Sequence, residues 1–229
     1  MKKSRIWTAS KVCVLCLCSI TTLFPFAWVL LSSFKSNREV FGKPFALPAQ
    51  WLSSNYEAAW KGANITTSFG NSLLYCFAAI IATTLLVSMA AYAIVRVYEC
   101  KAGIAFFSLG ITVPIYALII PLNMEFNALG ILNTRMAMII AYTVTSMSLS
   151  FFILAAYMGT VPKELDESAA IDGCSRPGIF FSILLPICRP AIATAATLQF
   201  INCWNDLLLC LTLVSKEELR TLNLAVYSM

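Results

Sequence analysis

The sequence predicts an all-α protein, a polytopic bundle of transmembrane helices, on three observations. Of its 229 residues, 59% are hydrophobic and only 12% are charged. That is half the roughly 25% charged content of ordinary soluble domains. Mean hydropathy is +0.79. Above all, the segments 12–34, 62–95, 102–124 and 136–162 contain no Asp, Glu, Lys or Arg. Each exceeds the ~20 residues needed to cross about 30 Å of hydrocarbon. A fifth run, 190–215, is interrupted only by Asp206.

These runs place five spans at about 12–32, 69–95, 102–122, 136–158 and 190–214, within one transmembrane domain covering 1–229. Lys2, Lys3, Arg5 and Lys11 precede the first run. A basic flank of this kind also opens a signal peptide, but the apolar core is long and Lys35 and Arg38 follow it without a small-residue cleavage site. An uncleaved first span is expected, with the N-terminus in the cytoplasm. The second run begins with polar residues (Asn64, Thr66, Thr67, Ser68), so its span starts near Phe69. Residues 33–68, rich in Pro and Trp, are expected as an ordered cap at the outer membrane surface. Pro114 and Pro121, with Gly103 and Gly110, predict a kinked third span.

Composition also excludes chemistry. There is no His, so imidazole catalysis and the commonest metal ligand are missing. Nine Cys include Cys13-Val-Leu-Cys16, but Cys13, Cys16 and Cys18 lie inside the first apolar run, where thiols pack as small hydrophobes. No metal site is predicted. The net charge of +5 needs no nucleic acid, because membrane proteins carry Lys and Arg at their cytoplasmic margins. No G-x-x-x-x-G-K occurs, so the chain is not expected to hydrolyse ATP. An intramembrane protease would need a Ser/Lys or Asp/Asp pair, whereas no span holds a Lys and Asp206 is its only acid.

The segment 159–189 is the least membrane-like internal stretch. Pro162 suits a helix start. Glu164, Asp166 and Glu167 follow at the positive end of the helix dipole, where acids stabilise. Asp172-Gly173 ends it, Gly173 supplying the left-handed cap. A helix of two to three turns, with Leu165, Ala169 and Asp172 on one face, cannot stand alone in water and must dock. The apolar residues 177–188 are too few to span and are expected at the interface, turning into the last span.

Glu167-Ser168-Ala169, three residues, Gly173, nine residues, then Ile183-x-Leu185-Pro186 resembles the EAA motif of ABC importer permease subunits. Ser168 stands where that pattern has Ala. Val161-Pro162-Lys163-Glu164-Leu165, Ile171-Asp172-Gly173, Trp204-Asn205-Asp206, Phe45-Ala46-Leu47-Pro48 and Asn55-Tyr56 resemble the carbohydrate-uptake branch. The resemblance runs from about Trp28 to the C-terminus. It implies a permease subunit, not itself an enzyme, in the cell membrane. The implied partners are a second homologous permease, two ATP-binding cassette subunits, an extracytoplasmic solute-binding protein and the bilayer. It implies no cofactor, ATP being bound by the partners. Members of this branch carry six spans, so about five are expected here, whether as a fragment or as a shortened form.

Glu167, Ser168, Ala169, Asp172 and Gly173 are thereby expected to form the ATPase-coupling segment. Asn202, Trp204, Asn205 and Asp206 are candidates for lining a translocation pathway, with Gln199 a weaker one. Asp206 reads equally as a pathway group or as an interhelical hydrogen-bonding group. Trp204 either stacks on a sugar or packs between helices. The alternatives are an importer permease for a non-sugar solute and a truncated membrane protein that does not transport.

Overall fold

The computed structural model describes residues 2–229, with side chains at residue 7 and from residue 10 onward. The side chains of Lys2, Lys3 and Arg5, on which the expected orientation rests, lie outside the described residues. Every regular element among those residues is helical. The chain divides into two compact units, 1–62 and 63–229, where the sequence reading has one domain. The division follows from packing: in the first apolar helix none of the hydrophobic window is buried.

The first unit contains α1 (Lys2–Ser32), α2 (Asn37–Gly42) and α3 (Ser54–Gly62). Its cap is ordered by directed contacts. Trp28 donates its indole N–H to the carbonyl of Pro44 at 2.9 Å and stacks on Phe45. Phe34 packs against both Trp51 and Tyr56. Lys35 is buried, and its ammonium donates to the carbonyl of Pro44 at 2.8 Å. Asn55 ties the turn by donating to the carbonyls of Ser33 and Lys35. Ser36 and Glu39 form a capping box at the start of α2, and Glu39 also accepts from the amide of Ala49 at 3.1 Å.

In the second unit α4 (Ile65–Ala91) continues through a π-helical turn at Tyr92–Val97. Then come α5 (Lys101–Thr112), α6 (Ile115–Ala128), α7 (Arg135–Thr160) and α8 (Glu164–Ile171). Next, α9 (Arg176–Ile179) leads through a second π turn (Phe180–Leu184) into α10 (Leu185–Ile187) and α11 (Arg189–Trp204). The chain ends with α12 (Leu208–Leu213) and α13 (Leu222–Tyr227).

The frame is α4, α7 and α11. Buried positions on α4 recur every three or four residues (Tyr75, Ala79, Thr83, Val87, Ala91), a single helical face. One core cluster joins Tyr75, Cys76 and Ala79 to Met138, Tyr142 and Cys203; the other joins Val87 and Ala91 to Phe151, Leu154, Met158 and Cys188. Rising numbers on α4 therefore meet rising numbers on α7 and falling numbers on α11. The first two helices run parallel and the third antiparallel to them. Small residues at these contacts let the backbones approach, as membrane packing requires where lipid removes the hydrophobic drive. On α5, a Cβ on Gly110 would lie 2.0 Å from Ser148 Oγ on α7.

Among the described residues, three helices are long and apolar enough to cross a membrane, and two bent pairs bring the total to as many as five. The bends change the expected spans. The third expected span, 102–122, is two helices meeting at 100°. Pro114 drives Val113 into an extended conformation (φ −80, ψ 116) and itself supplies no N–H. Pro121 instead stays inside α6. The fifth, 190–214, stops at Trp204 and restarts at Leu208, and on its other side α11 meets residues 176–187 at 72°.

The capping box gives an acid-sensitive feature. Hydrogen bonds from the Ser36 and Ala49 amides, the Ser36 one the stronger, hold the Glu39 carboxyl below its ordinary 4.5. A depressed carboxyl stabilises the fold above its unfolded value and loses that contribution as pH falls through the folded one. Protection of the Ala49 amide from hydrogen exchange should stay flat from neutral pH to about 4.5 and fall below it. The Glu39→Gln variant should show no such step; a step that persists there would assign the transition elsewhere.

Candidate functional site

Two groups of residues carry function-bearing chemistry, one on the short helix α8 and one around a cavity beside α11.

Helix α8 begins with three acids, Glu164, Asp166 and Glu167, in its first turn. It ends in a Schellman turn: the Cys174 amide reaches the Ala169 carbonyl at 2.9 Å and the Gly173 amide the Ala170 carbonyl at 3.1 Å. Gly173 sits at φ +82, where a side chain would be strained. Glu167, Ser168, Asp172 and Gly173 are exposed, whereas Ala169 is buried, so Ala169 anchors the helix instead of facing outward. The expected apolar face is also incomplete: Leu165 is exposed, and Ile171 is 86% exposed.

What fixes α8 is a residue that the sequence analysis did not single out. Arg96, in the π turn after α4, has a side chain only 2% exposed. Its Nε donates to Asp166 Oδ2 at 3.0 Å. Its Nη1 donates to the carbonyls of Met158 and Val161, and its Nη2 to that of Pro162 at 3.0 Å. A second ion pair joins Lys163 to Glu99, both exposed. The Lys163 hydrogen bond and charge hold the Glu99 carboxyl below its usual range. The apolar segment behind α8 is helical, and Phe180 of its π turn lies 5.4 Å from Tyr92 of the other.

The cavity is about 590 Å³ and is lined by the start of α6, the middle of α7, α11 and the break before α12. Asn202, Asn205 and Asp206 line it, together with Gln199, Tyr116, Thr145 and Ser146. Asn202 and Asn205 are exposed, and Asn205 turns its amide onto the Ile201 carbonyl. Asp206 lines the cavity and also hydrogen-bonds within the bundle. Its carboxylate accepts from Tyr142 Oη at 3.0 Å and from the amides of Leu209 and Cys210, each at 3.2 Å. An acidic side chain taking those amides is the reason a new helix starts there. Above it, Gln199 donates to Thr83 Oγ1 at 2.9 Å, and Thr83 to the Thr143 carbonyl at 3.4 Å. The three frame helices are thus joined by buried polar contacts at the level of the cavity.

Trp204 departs from the pathway expectation. It stacks on Phe200 at 5.5 Å, meets Phe69 edge-on and lies outside the cavity lining. Its ring completes an aromatic contact between α11 and α4, the packing role open to a span aromatic. Tyr142, Thr83 and Tyr116 were not singled out from the sequence, because a hydroxyl within an apolar run carries no periodic signal. Beyond the cavity, residues 218–222 are pinned to α4: Asn71 donates to the carbonyls of Glu218 and Arg220, Tyr75 to that of Leu219, and Ser72 accepts from the Leu222 amide.

Residues 101–227 match the family model described as the binding-protein-dependent transport system inner membrane component. The diacetylchitobiose uptake system permease protein of Streptomyces coelicolor is 33% identical over 228 residues, 98% of this chain and 76% of the relative. The trehalose/maltose transport system permease protein of Thermococcus litoralis is 30% identical over 214 residues, 92% of this chain and 77% of the relative. Among solved structures, a bacterial ABC transporter involved in import of the acidic polysaccharide alginate aligns with a TM-score of 0.83 at 22% identity, covering 99% of this chain and 80% of that one. That likeness establishes the fold.

If Asp206 supports the helix break, removing it must cost stability as well as polarity. Asp206→Ala strands the Tyr142 hydroxyl and two amides and should destabilise the purified protein by about 2–4 kcal/mol. Tyr142→Phe leaves the carboxylate its two amides and should cost only about 1 kcal/mol. Thermal unfolding in detergent would rank them; a neutral Asp206→Ala would remove the structural role.

Proposed function

Because the chain belongs to the family of binding-protein-dependent transport system inner membrane components, we propose that it is the permease subunit of an ATP-driven saccharide importer. Multi-pass membrane residence follows from its family and its apolar helices. The observation that carries the mechanism is the state of α8. It is eight residues long, too short to persist alone, and it is held rigidly at Asp166 while Glu167, Ser168 and Asp172 face outward. A short helix in that condition suits insertion into a cleft of a separate ATPase subunit.

In this reading, a second permease faces the polar cavity and completes the pathway. An extracytoplasmic binding protein delivers the sugar, and two ATPase subunits close on ATP and displace the coupling helices. Sugars present hydroxyls that pair with carboxylate and amide groups, and C–H faces that pack on aromatic rings. The cavity offers Asp206, Asn202 and Asn205 for the first and Tyr116 for the second. The names of the two saccharide permeases above favour this substrate class, and the N-terminal basic flank favours α8 in the cytoplasm.

Reconstitution with the partner subunits tests the reading: the complex should accumulate labelled oligosaccharide only with ATP and binding protein. Glu167→Lys puts a cation at the positive end of α8 and in the partner cleft. Membrane insertion should persist while ATPase association or transport is lost, and unchanged transport would detach α8 from coupling.

Orientation is read separately, with single cysteines in a background lacking the native nine. In sealed cells an impermeant thiol reagent should reach positions 66 and 129 but not 167. Labelling at 167 reverses the topology.

A further inference from the structure

The polar contacts around α8 converge on one side chain that the proposed mechanism does not use. We propose that Arg96 is the positioning residue that clamps α8 to the membrane helices, so that displacement of α8 passes to α4 and α7 through its guanidinium. This inference rests on reading α8 as the coupling helix, and goes beyond it in assigning the joint through which the motion travels.

The geometry is specific. Helix α7 ends at Thr160, where the intrahelical ladder runs out and the Met158 carbonyl takes only the long 3.3 Å bond from the Val161 amide. Arg96 donates to Met158, Val161 and Pro162 there, and so caps α7 from a neighbouring helix. The same side chain donates to Asp166 in the first turn of α8. One planar group emerging from the end of α4 thus holds the end of one helix and the start of another. Lysine cannot reproduce this, because its ammonium is a single point donor and not a fork. The arginine side chain is 2% exposed, so water does not compete for its donors. The neighbouring Lys163–Glu99 pair is exposed on both sides, and such pairs contribute little.

The receiving element is suited to the task. Residues 65–97 form one continuous helical rod of 33 residues, about 50 Å long. Near its far end Asn71, Ser72 and Tyr75 hold residues 218–222, and midway Thr83 meets Gln199 beside the cavity. A push delivered at Arg96 therefore acts on a stiff element that touches both the cavity wall and the opposite end of the bundle.

The test uses the full transporter with its partner subunits in lipid, comparing Arg96→Lys, Arg96→Gln and Asp166→Asn. Three quantities are measured: ATPase co-purification, ATP hydrolysis, and sugar moved per ATP. The expected result is an intact complex that still hydrolyses ATP while sugar moved per ATP falls roughly two- to thirtyfold, the span seen for residues that carry coupling between sites. Arg96→Lys should fail although it keeps the charge. The Arg96→Gln/Asp166→Asn double variant should be no worse than the worse single. Asp166→Asn leaves the three carbonyl contacts of Arg96 in place, so it reports on the link to α8 even if Arg96→Gln does not fold. Phe151→Ala, in the core stacked on Phe107, is the control for simple loss of stability. Wild-type sugar moved per ATP in Arg96→Lys or Asp166→Asn overturns the inference alone. So does a fall in hydrolysis and transport in equal proportion, as in the control. A wild-type complex with no ATP-dependent transport overturns the reading of α8 first, and the inference with it.

Discussion

Hydrocarbon offers no hydrogen bonds, so every N–H or carbonyl freed where a membrane helix breaks must find its partner within the protein. This chain breaks its helices repeatedly, and a side chain answers several of the breaks. Asp206 takes the amides that open α12. Asn123 on α6 donates to the Thr212 carbonyl at the end of the same helix. Asn133, in a left-handed conformation, accepts from the amides of Ser215 and Lys216 while its own amide reaches the Leu213 carbonyl. Arg96 covers the carbonyls where α7 stops. With these bonds in place, the backbone groups named at each break are partnered.

The cost of these contacts explains their distribution. Of the buried polar side chains on α4, Asn71 and Ser72 hold the 218–222 segment and Thr83 meets Gln199, while Ser68 and Ser88 donate to the nearby carbonyls of Ala63 and Leu85. Interhelical hydrogen bonds in membranes contribute about 0.6–2 kcal/mol each, so no single one holds the bundle together. Gln199 to Thr83 and Thr83 to Thr143 act instead by fixing register between α4, α7 and α11, around which close aliphatic and aromatic packing does the bulk of the work. The parallel stacking of Phe107 on Phe151 at 4.0 Å belongs to that packing. Gly110 belongs to it as well, since a side chain there would meet the Ser148 hydroxyl and force it to turn away.

The first, second and fourth apolar helices were legible in the sequence because charge-free length is a local property. So was α8, whose acids, length and Gly173 stop are all written within ten residues. What the sequence hid was pairing at a distance. Arg96 and Asp166 are 70 residues apart, and a charge at the end of an apolar run reads first as a membrane-margin residue. Proline was ambiguous for a related reason. Pro114 falls where α6 begins and its missing N–H costs nothing, so the chain turns there by 100°. Pro121 carries the same local signal and remains within its helix. Trp204 shows the converse case: its place in a suggestive Trp-Asn-Asp triplet is real, but Phe200 four residues earlier is close enough in a helix to take its ring face.

The same constraint locates the cavity. Its wall includes Ile115 and Tyr116, the first residues of α6, and Asn205 to Leu208, the break between α11 and α12. Both are points where a membrane helix ends or restarts. Intact helices present only side chains, whereas a helix end brings backbone amides and carbonyls, and the side chains that cap them, to the same place. Irregular backbone at membrane depth is tolerated only where protein buries it or a polar cavity lies against it. A cavity bounded by two helix breaks is thus the arrangement in which interrupted spans cost least. It also concentrates polar groups on one wall of the cavity. Asp206 joins these two functions in one carboxylate: the bonds that start α12 also hold its oxygens at the cavity wall. Its bonding to the backbone and its place at the cavity wall are consequences of one position.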